Sequence, residues 1–178
     1  LLDELAKAHE FAFDTETTGL DLFLSQLVGL SFATAPFKAW YVPIPSDQTE
    51  ANQIMLEFKG VLEDESKTKV GQNIKFDFLM LRNYDIKLGG FLFDTMLAHY
   101  LLEPDFRHNL SLLSEQLLGY KPIEIEELIG KKGANQISMR QVAIDKISIY
   151  AAEDADLAIR LKEILYKRLV DEGLLELY

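Results

Sequence analysis

The sequence predicts an α/β fold built on a mixed sheet. Three observations carry that reading. The runs "EFAFDTE", "LVGLSFATA" and "AWYVPIP" are short, apolar and rich in β-formers, and only turn residues separate them. From residue 68 onward, short strand patterns alternate with helix-length ones, the mark of strand–helix units. A long amphipathic run, roughly Asp145 to Asp171, closes the chain.

The turn "TTGLD" and the loop around Pro36 join the three runs, a spacing that suits an antiparallel meander. Pro43 and Pro45 are poor ladder donors, so the third strand belongs toward an edge. Residues 51–63 read as a helix and "TKVGQ" as a short strand. Asn73 is the expected N-cap of a helix over "IKFDFLMLRNY". Phe91 to Phe93 repeat the strand pattern, Asp94 is the next N-cap, and Thr95 to Leu102 are helical. Asn109 is expected to cap a helix over "LSLLSEQLLGY", stopped by Gly119. Residues 121–144 are less regular and contain "GKKGANQ", expected to be a mobile loop. Gly173 ends the last helix. With no repeat, low-complexity tract or linker, residues 1–178 read as a single domain.

The 178 residues suffice for one substantial core. The absence of cysteine excludes a disulfide framework and a zinc–thiolate site. It fits a reducing compartment, and a cytoplasmic location is expected. No apolar run approaches the ~20 residues of a membrane span, so no membrane partner is expected. The opening "LLDELAKAHE" is charged, lacks a signal-peptide layout and lacks an initiator Met, so the chain is expected to be a piece of a longer one. The net charge of −11 argues against a simple sequence-independent nucleic-acid binder, which should be basic. Bound cations would invert that local sign.

The carboxylates are the anomaly. Asp14 and Glu16 stand two apart at the end of a core-like strand, so both point the same way. Asp77 falls inside the apolar stripe Ile74, Phe78, Leu81. In the last helix, Ile147, Ala151, Leu157, Ala158, Leu161 and Leu165 trace a buried face. Tyr150 and Asp154, four apart, lie on its border. Each acid alone has an ordinary reading: strand-end solvation, a first-turn helix charge, an exposed charge in "AEDAD". Glu153 and Asp156 in that cluster are expected to face water. Together, four acids from three elements sit where a core is expected, and no Lys or Arg shares their stripes. Hard oxygen ligands without Cys suit Mg²⁺ or Mn²⁺. Two such ions can activate water and stabilise a leaving oxygen in phosphoryl displacement. His9, His99 and His108 read as surface or satisfied histidines.

The order "DTETTGL", "VGQNIKFDF", "YAAEDAD" resembles the DEDDy 3′→5′ exonucleases, which share an RNase H-like fold. "VGQNIKFD", "FDTMLAHYLL", "RHNLSLLSEQLL" and "YAAEDADLAIRL" resemble the proofreading domain of family A DNA polymerases, over nearly the whole chain. The resemblance implies a mixed central sheet, three antiparallel strands followed by strand–helix units, flanked by helices. It implies that Asp14, Glu16 and Asp154 hold a first divalent cation and that Asp14 bridges to a second. Asp77 would hold that second ion largely through water, and Tyr150 would orient the attacking water. Glu16 would also touch the terminal 3′-hydroxyl. Leu20 would be an apolar wedge between the last two bases. Gln72 and Asn73 would lie beside the substrate backbone, and Arg107 close to the strand. Two positions depart from the family. Ile125 stands where Phe is common, losing stacking worth ~1–3 kcal/mol per base, and Phe76 stands where Tyr is frequent.

The expectation is therefore a 3′→5′ exodeoxyribonuclease using two Mg²⁺ or Mn²⁺ ions. It would act on the 3′ end of single-stranded or mispaired DNA and proofread for a polymerase domain in the same full-length chain. The alternatives are an RNA-trimming exonuclease of the same superfamily, or a non-catalytic module that binds a strand end.

Overall fold

Strand alternation sorts the side chains into layers. The computed structural model describes residues 1–178. In it β1 (Glu10–Thr17), β2 (Leu27–Ala35), β3 (Lys38–Pro43), β4 (Thr68–Gly71) and β5 (Leu92–Asp94) form one sheet in the order β3-β2-β1-β4-β5. The first three pair antiparallel as a meander, whereas β4 joins β1 and β5 joins β4 in parallel. The proline-bearing β3 is an edge, as expected.

Phe11 and Phe13 of β1 point to one face, where Leu30 and Phe32 join them against α2 (Gln48–Glu63) and α3 (Ile74–Arg82). Met55, Phe58, Leu62, Met80 and Leu81 fill that layer. Burying each large apolar side chain contributes about 1.5–3 kcal/mol. Ala12 of β1 points to the opposite face with Ala33, Val70 and Phe93. There α4 (Thr95–Leu102) and α7 (Ile144–Asp171) cover the sheet. Ala155 and Ala158 of α7 meet these strand alanines, so helix and sheet approach closely.

Several local expectations need correction. The chain begins with a short helix, α1 (Leu2–Lys7), anchored by the buried Leu5 alone; one apolar anchor leaves no helical period to read. Asn73 occupies the N-cap position of α3, but its side chain makes no cap bond and its backbone is left-handed (φ 56°). Asn109 likewise precedes a helix without capping it. The single helix expected there is α5 (Leu110–Leu113) running into a π-helical turn, Ser114–Leu118, which ends at left-handed Gly119. Phe78 is only partly covered, and Met80 takes its place inside. The irregular stretch before α7 contains α6 (Ile125–Ile129) and a 3₁₀ turn at Met139–Gln141. Asp156 does not face water: it is buried, accepts from the Phe37 N–H and pairs with Arg160 at 3.2 Å. Glu153 is half-buried, accepting from the Tyr120 hydroxyl and the Ile123 N–H. Their pattern reads as solvated because Phe37, Tyr120 and Ile123, which cover them, lie far away in sequence.

Candidate active site

The same alternation builds the site. Asp14 and Glu16 follow Ala12 onto the α7 face, and Thr15 follows Phe13 onto the α3 face. A register shift between Glu16 and Thr17 ends the regular pairing at this point. Such a bulge bends the strand and re-aims its side chains. Gly29 lies opposite Glu16, and any Cβ there would collide with the Tyr41 ring. From α7, Asp154 reaches the two strand acids, and carboxylate oxygens of Asp14, Glu16 and Asp154 lie within 4.8 Å of one another. Tyr150, one turn earlier, is half-buried beside Asp154.

Asp77 comes from the other layer. Its carboxylate accepts from the Thr15 N–H at 3.0 Å and from the Thr15 hydroxyl. It therefore stands behind the strand that carries Asp14, outside the cluster of three. Thr15, to which the sequence gives no role, is the joint between the two faces. The start of α3 is held by Asp94, whose carboxylate accepts from the N–H groups of Met96 and of Asn73, both at 2.9 Å. The expected cap of α4 thus also ties down the corner that leads to Asp77.

Elsewhere, buried ionised groups are matched. Lys69 donates to the carbonyls of Asp64 and Gly89, and Lys67 to those of Ala6 and Ala8. His99 and His108 face each other, Nδ1 to Nδ1 at 2.7 Å, as satisfied histidines. None of the ion pairs includes Asp14, Glu16, Asp77 or Asp154. Glu16 Oε1 is buried with no hydrogen-bond partner.

The electrostatic cost is visible in every titrating group. Burial raises Asp14 to about 7. Glu16 is pushed well above the usual carboxylate range, first by burial and then by the charges of Asp14, Asp154 and Asp77. Burial and Asp14 do the same to Asp77, against the Thr15 hydrogen bonds. Asp154 is raised by burial and by Asp14, against the Tyr150 hydroxyl. Burial and the neighbouring carboxylates push the Tyr150 phenol far up, so it stays neutral. Two unit charges 4 Å apart repel by ~4 kcal/mol at a near-surface effective dielectric. An all-oxygen donor set with one buried oxygen unpartnered fits a hard divalent cation, which would cancel this repulsion.

Above the cluster opens a cleft of about 600 Å³. Asp14, Glu16, Tyr150 and Asp154 line it, and so do Leu20, Phe76 and Ile125. Leu20 is 87% exposed, an apolar side chain held out at the rim. The other expected contacts lie elsewhere. The Gln72 side chain is engaged with the Thr95 hydroxyl and the His108 carbonyl. Asn73 borders a hollow with Lys75, Tyr100 and His108. Arg107 borders another, with Asn109, Glu115 and Glu124.

The family model described as 3′–5′ exonuclease matches residues 1–170. The chain belongs to this 3′–5′ exonuclease family. It is 40% identical to DNA polymerase I of Pseudomonas aeruginosa over 177 residues, covering 94% of this chain and 19% of that protein. DNA polymerase I of Borreliella burgdorferi is 33% identical, over 98% of this chain and 19% of its own length. The chain thus spans 19% of the length of these polymerase relatives. Among solved structures, Brucella melitensis NrnC superposes with a TM-score of 0.78 at 25% identity, over 98% of this chain and 80% of that one. A structure of NrnC with bound Mg²⁺ gives 0.75. The catalytic core of RRP6 from Trypanosoma brucei, 18% identical, shares the fold (TM-score 0.74), covering 98% of this chain and 45% of its own. The sheet order and flanking helices are those of the RNase H-like exonuclease fold, as the motif resemblance implies.

Proposed function

We propose that the chain is the 3′→5′ exodeoxyribonuclease domain of a longer family A DNA polymerase. It would remove 5′-mononucleotides from single-stranded or mispaired 3′ ends. The observation that carries this is the trio Asp14, Glu16 and Asp154, with Glu16 buried and one of its oxygens unpartnered, at the floor of a cleft with an exposed apolar rim. Asp14, Glu16 and Asp154 would hold one divalent cation. Asp77, behind Thr15, would reach a second only through water. Bound Mg²⁺ or Mn²⁺ supplies charge for the phosphate and lowers the pKa of water. Tyr150, kept neutral by its surroundings, orients the attacking water through its hydroxyl. Leu20 and Ile125 grip base faces, and Leu20 holds a frayed end open. Gln72, Asn73 and Arg107 lie outside the cleft and would touch the strand only beyond its terminal residues.

A 5′-labelled single strand incubated with Mg²⁺ tests the reading. Stepwise loss of 5′-mononucleotides that stops with excess chelator is expected. Full activity in a chelated, metal-depleted preparation would refute it. Blunt G·C ends should be degraded more slowly than single strands, and Leu20→Ala should weaken strand binding without loss of metal binding. Equal rates on both substrates would remove the wedge role.

A second reading, trimming of RNA, is suggested by the neighbours NrnC, at 25% identity and solved bound to pGG, and the RRP6 catalytic core, which share the fold. The polymerase relatives favour DNA. Competing DNA and RNA strands of one sequence would decide, with faster loss of DNA expected.

A further inference from the structure

The cleft that holds three carboxylates contains one cation, and it is not the one the sequence singles out. Of all its lining side chains only Lys132 is basic. Lys132 is exposed and takes part in none of the ion pairs, so its ammonium is free for a ligand. Its position is built rather than accidental. The segment 130–138 closes on itself, with the Ile137 N–H donating to the Ile129 carbonyl at 3.0 Å and the Gln136 side chain to the Gly130 carbonyl at 3.2 Å. Gly130 (φ 81°) turns the chain out of α6, a conformation that strains other residues. The Ser138 hydroxyl lies 3.4 Å from the Thr18 carbonyl and joins the segment to the turn bearing Leu20. Ile125, Lys132 and Ile137 therefore line the cleft together with Leu20 and the carboxylates.

We infer that Lys132 is a substrate-binding residue that contacts a backbone phosphate of the strand entering the cleft. This rests on the exonuclease reading above. A strand threaded between the apolar walls places its bases on Leu20 and Ile125, which leaves its phosphodiesters needing charge. In a chain of net charge −11, a lone ammonium at the mouth gives the backbone a fixed attraction apart from any bound cation. Arg107, the basic residue expected near the strand, shares its hollow with Glu115 and Glu124. Lys131, the next residue, does not line the cleft and serves as the control.

Neutralising one phosphate on a single strand contributes about 0.7 to the slope of log affinity against log salt. The test is fluorescence anisotropy of a 5′-labelled single strand with a phosphorothioate terminal linkage, at fixed Mg²⁺ across a salt series. Lys132→Ala should make the slope shallower by about 0.7 and raise KM more than it lowers kcat. Lys132→Arg should restore the slope, and Lys131→Ala should keep that of the parent. A parent slope in Lys132→Ala, or an equal fall in Lys131→Ala, would overturn the assignment. If the parent protein itself binds and degrades no strand, the exonuclease reading fails, and this inference with it. Unchanged melting curves show that the variants are folded.

Discussion

Asp154→Ala is expected to abolish nearly all nuclease activity, whereas Tyr150→Phe leaves a measurable rate, although the two side chains are neighbours on one helix. Asp154 belongs to the trio whose oxygens lie within 4.8 Å. Removing it would take a charged ligand from the proposed cation site. A single well-placed stabilising group at a transition state is worth about 10²–10³ in rate, and a metal ligand should cost at least that. Tyr150→Phe keeps the ring and deletes one hydroxyl, and a bound cation would still lower the pKa of the water. Neither change opens a core cavity: both side chains are only half-buried, and the core of α7 is carried by Ala151, Ala155, Ala158 and Leu161. Single-turnover cleavage of a labelled strand at saturating Mg²⁺ measures the difference, with thermal melting as the check on folding. Equal rates in the two variants would remove Asp154 from the metal site.

Much of this site was legible because strands and helices are periodic. Once β1 was read as a strand, Asp14 and Glu16 had to share a face, and the stripe of α7 placed Asp154 at its border. The same periodicity placed Asp77 on the buried side of α3. It could not say that Asp77 belongs to the opposite layer and bonds Thr15, because that follows from how two layers meet at the strand end. Periodicity offers Arg160, four residues on, as a partner of Asp156, but it could not find Phe37 on a distant hairpin. Caps were half legible. Asp94 caps α4 as read, but its bond to the Asn73 N–H is a tertiary contact, and it accompanies a left-handed Asn73 that the capping rule did not foresee. The segment 130–138 carries no apolar period, so "GKKGANQ" reads as loop. Its place as a cleft wall arises from three hydrogen bonds that no local pattern encodes.

Without divalent cation, the protein should lose stability as pH rises, and Mn²⁺ or Mg²⁺ should reverse the loss. The sign follows from the carboxylates. Asp14, Glu16, Asp77 and Asp154 are all raised above their ordinary values, Asp14 from 3.8 to about 7. A raised acid keeps its proton in the folded state where the unfolded chain has released it. The folded state is then favoured below the unfolded value, and that advantage is lost as pH climbs through the folded one. The window therefore opens near pH 4 and runs through about 7 for Asp14, and the other three, also raised, add to the loss in the same direction. His99, lowered by burial and by His108, acts the opposite way below its ordinary value of 6.5, so the clean range lies above that. One pKa unit corresponds to about 1.4 kcal/mol, so each raised acid makes the chelated protein less stable as pH climbs through its folded value. At about 2–4 °C per kcal/mol for a chain of this size, Tm in chelator should fall measurably between pH 6.5 and 8.5. A cation at a hundred times its Kd restores about 2.7 kcal/mol by mass action. Glu16→Gln removes one of the repelling charges and should flatten the chelated slope, raise Tm at pH 8.5 and shrink the response to Mn²⁺. Calorimetric melts of both proteins with and without chelator measure all three quantities. A flat Tm in chelator, or a variant with the parent's slope, would mean that the four acids already have other partners and that the site is not organised for a cation.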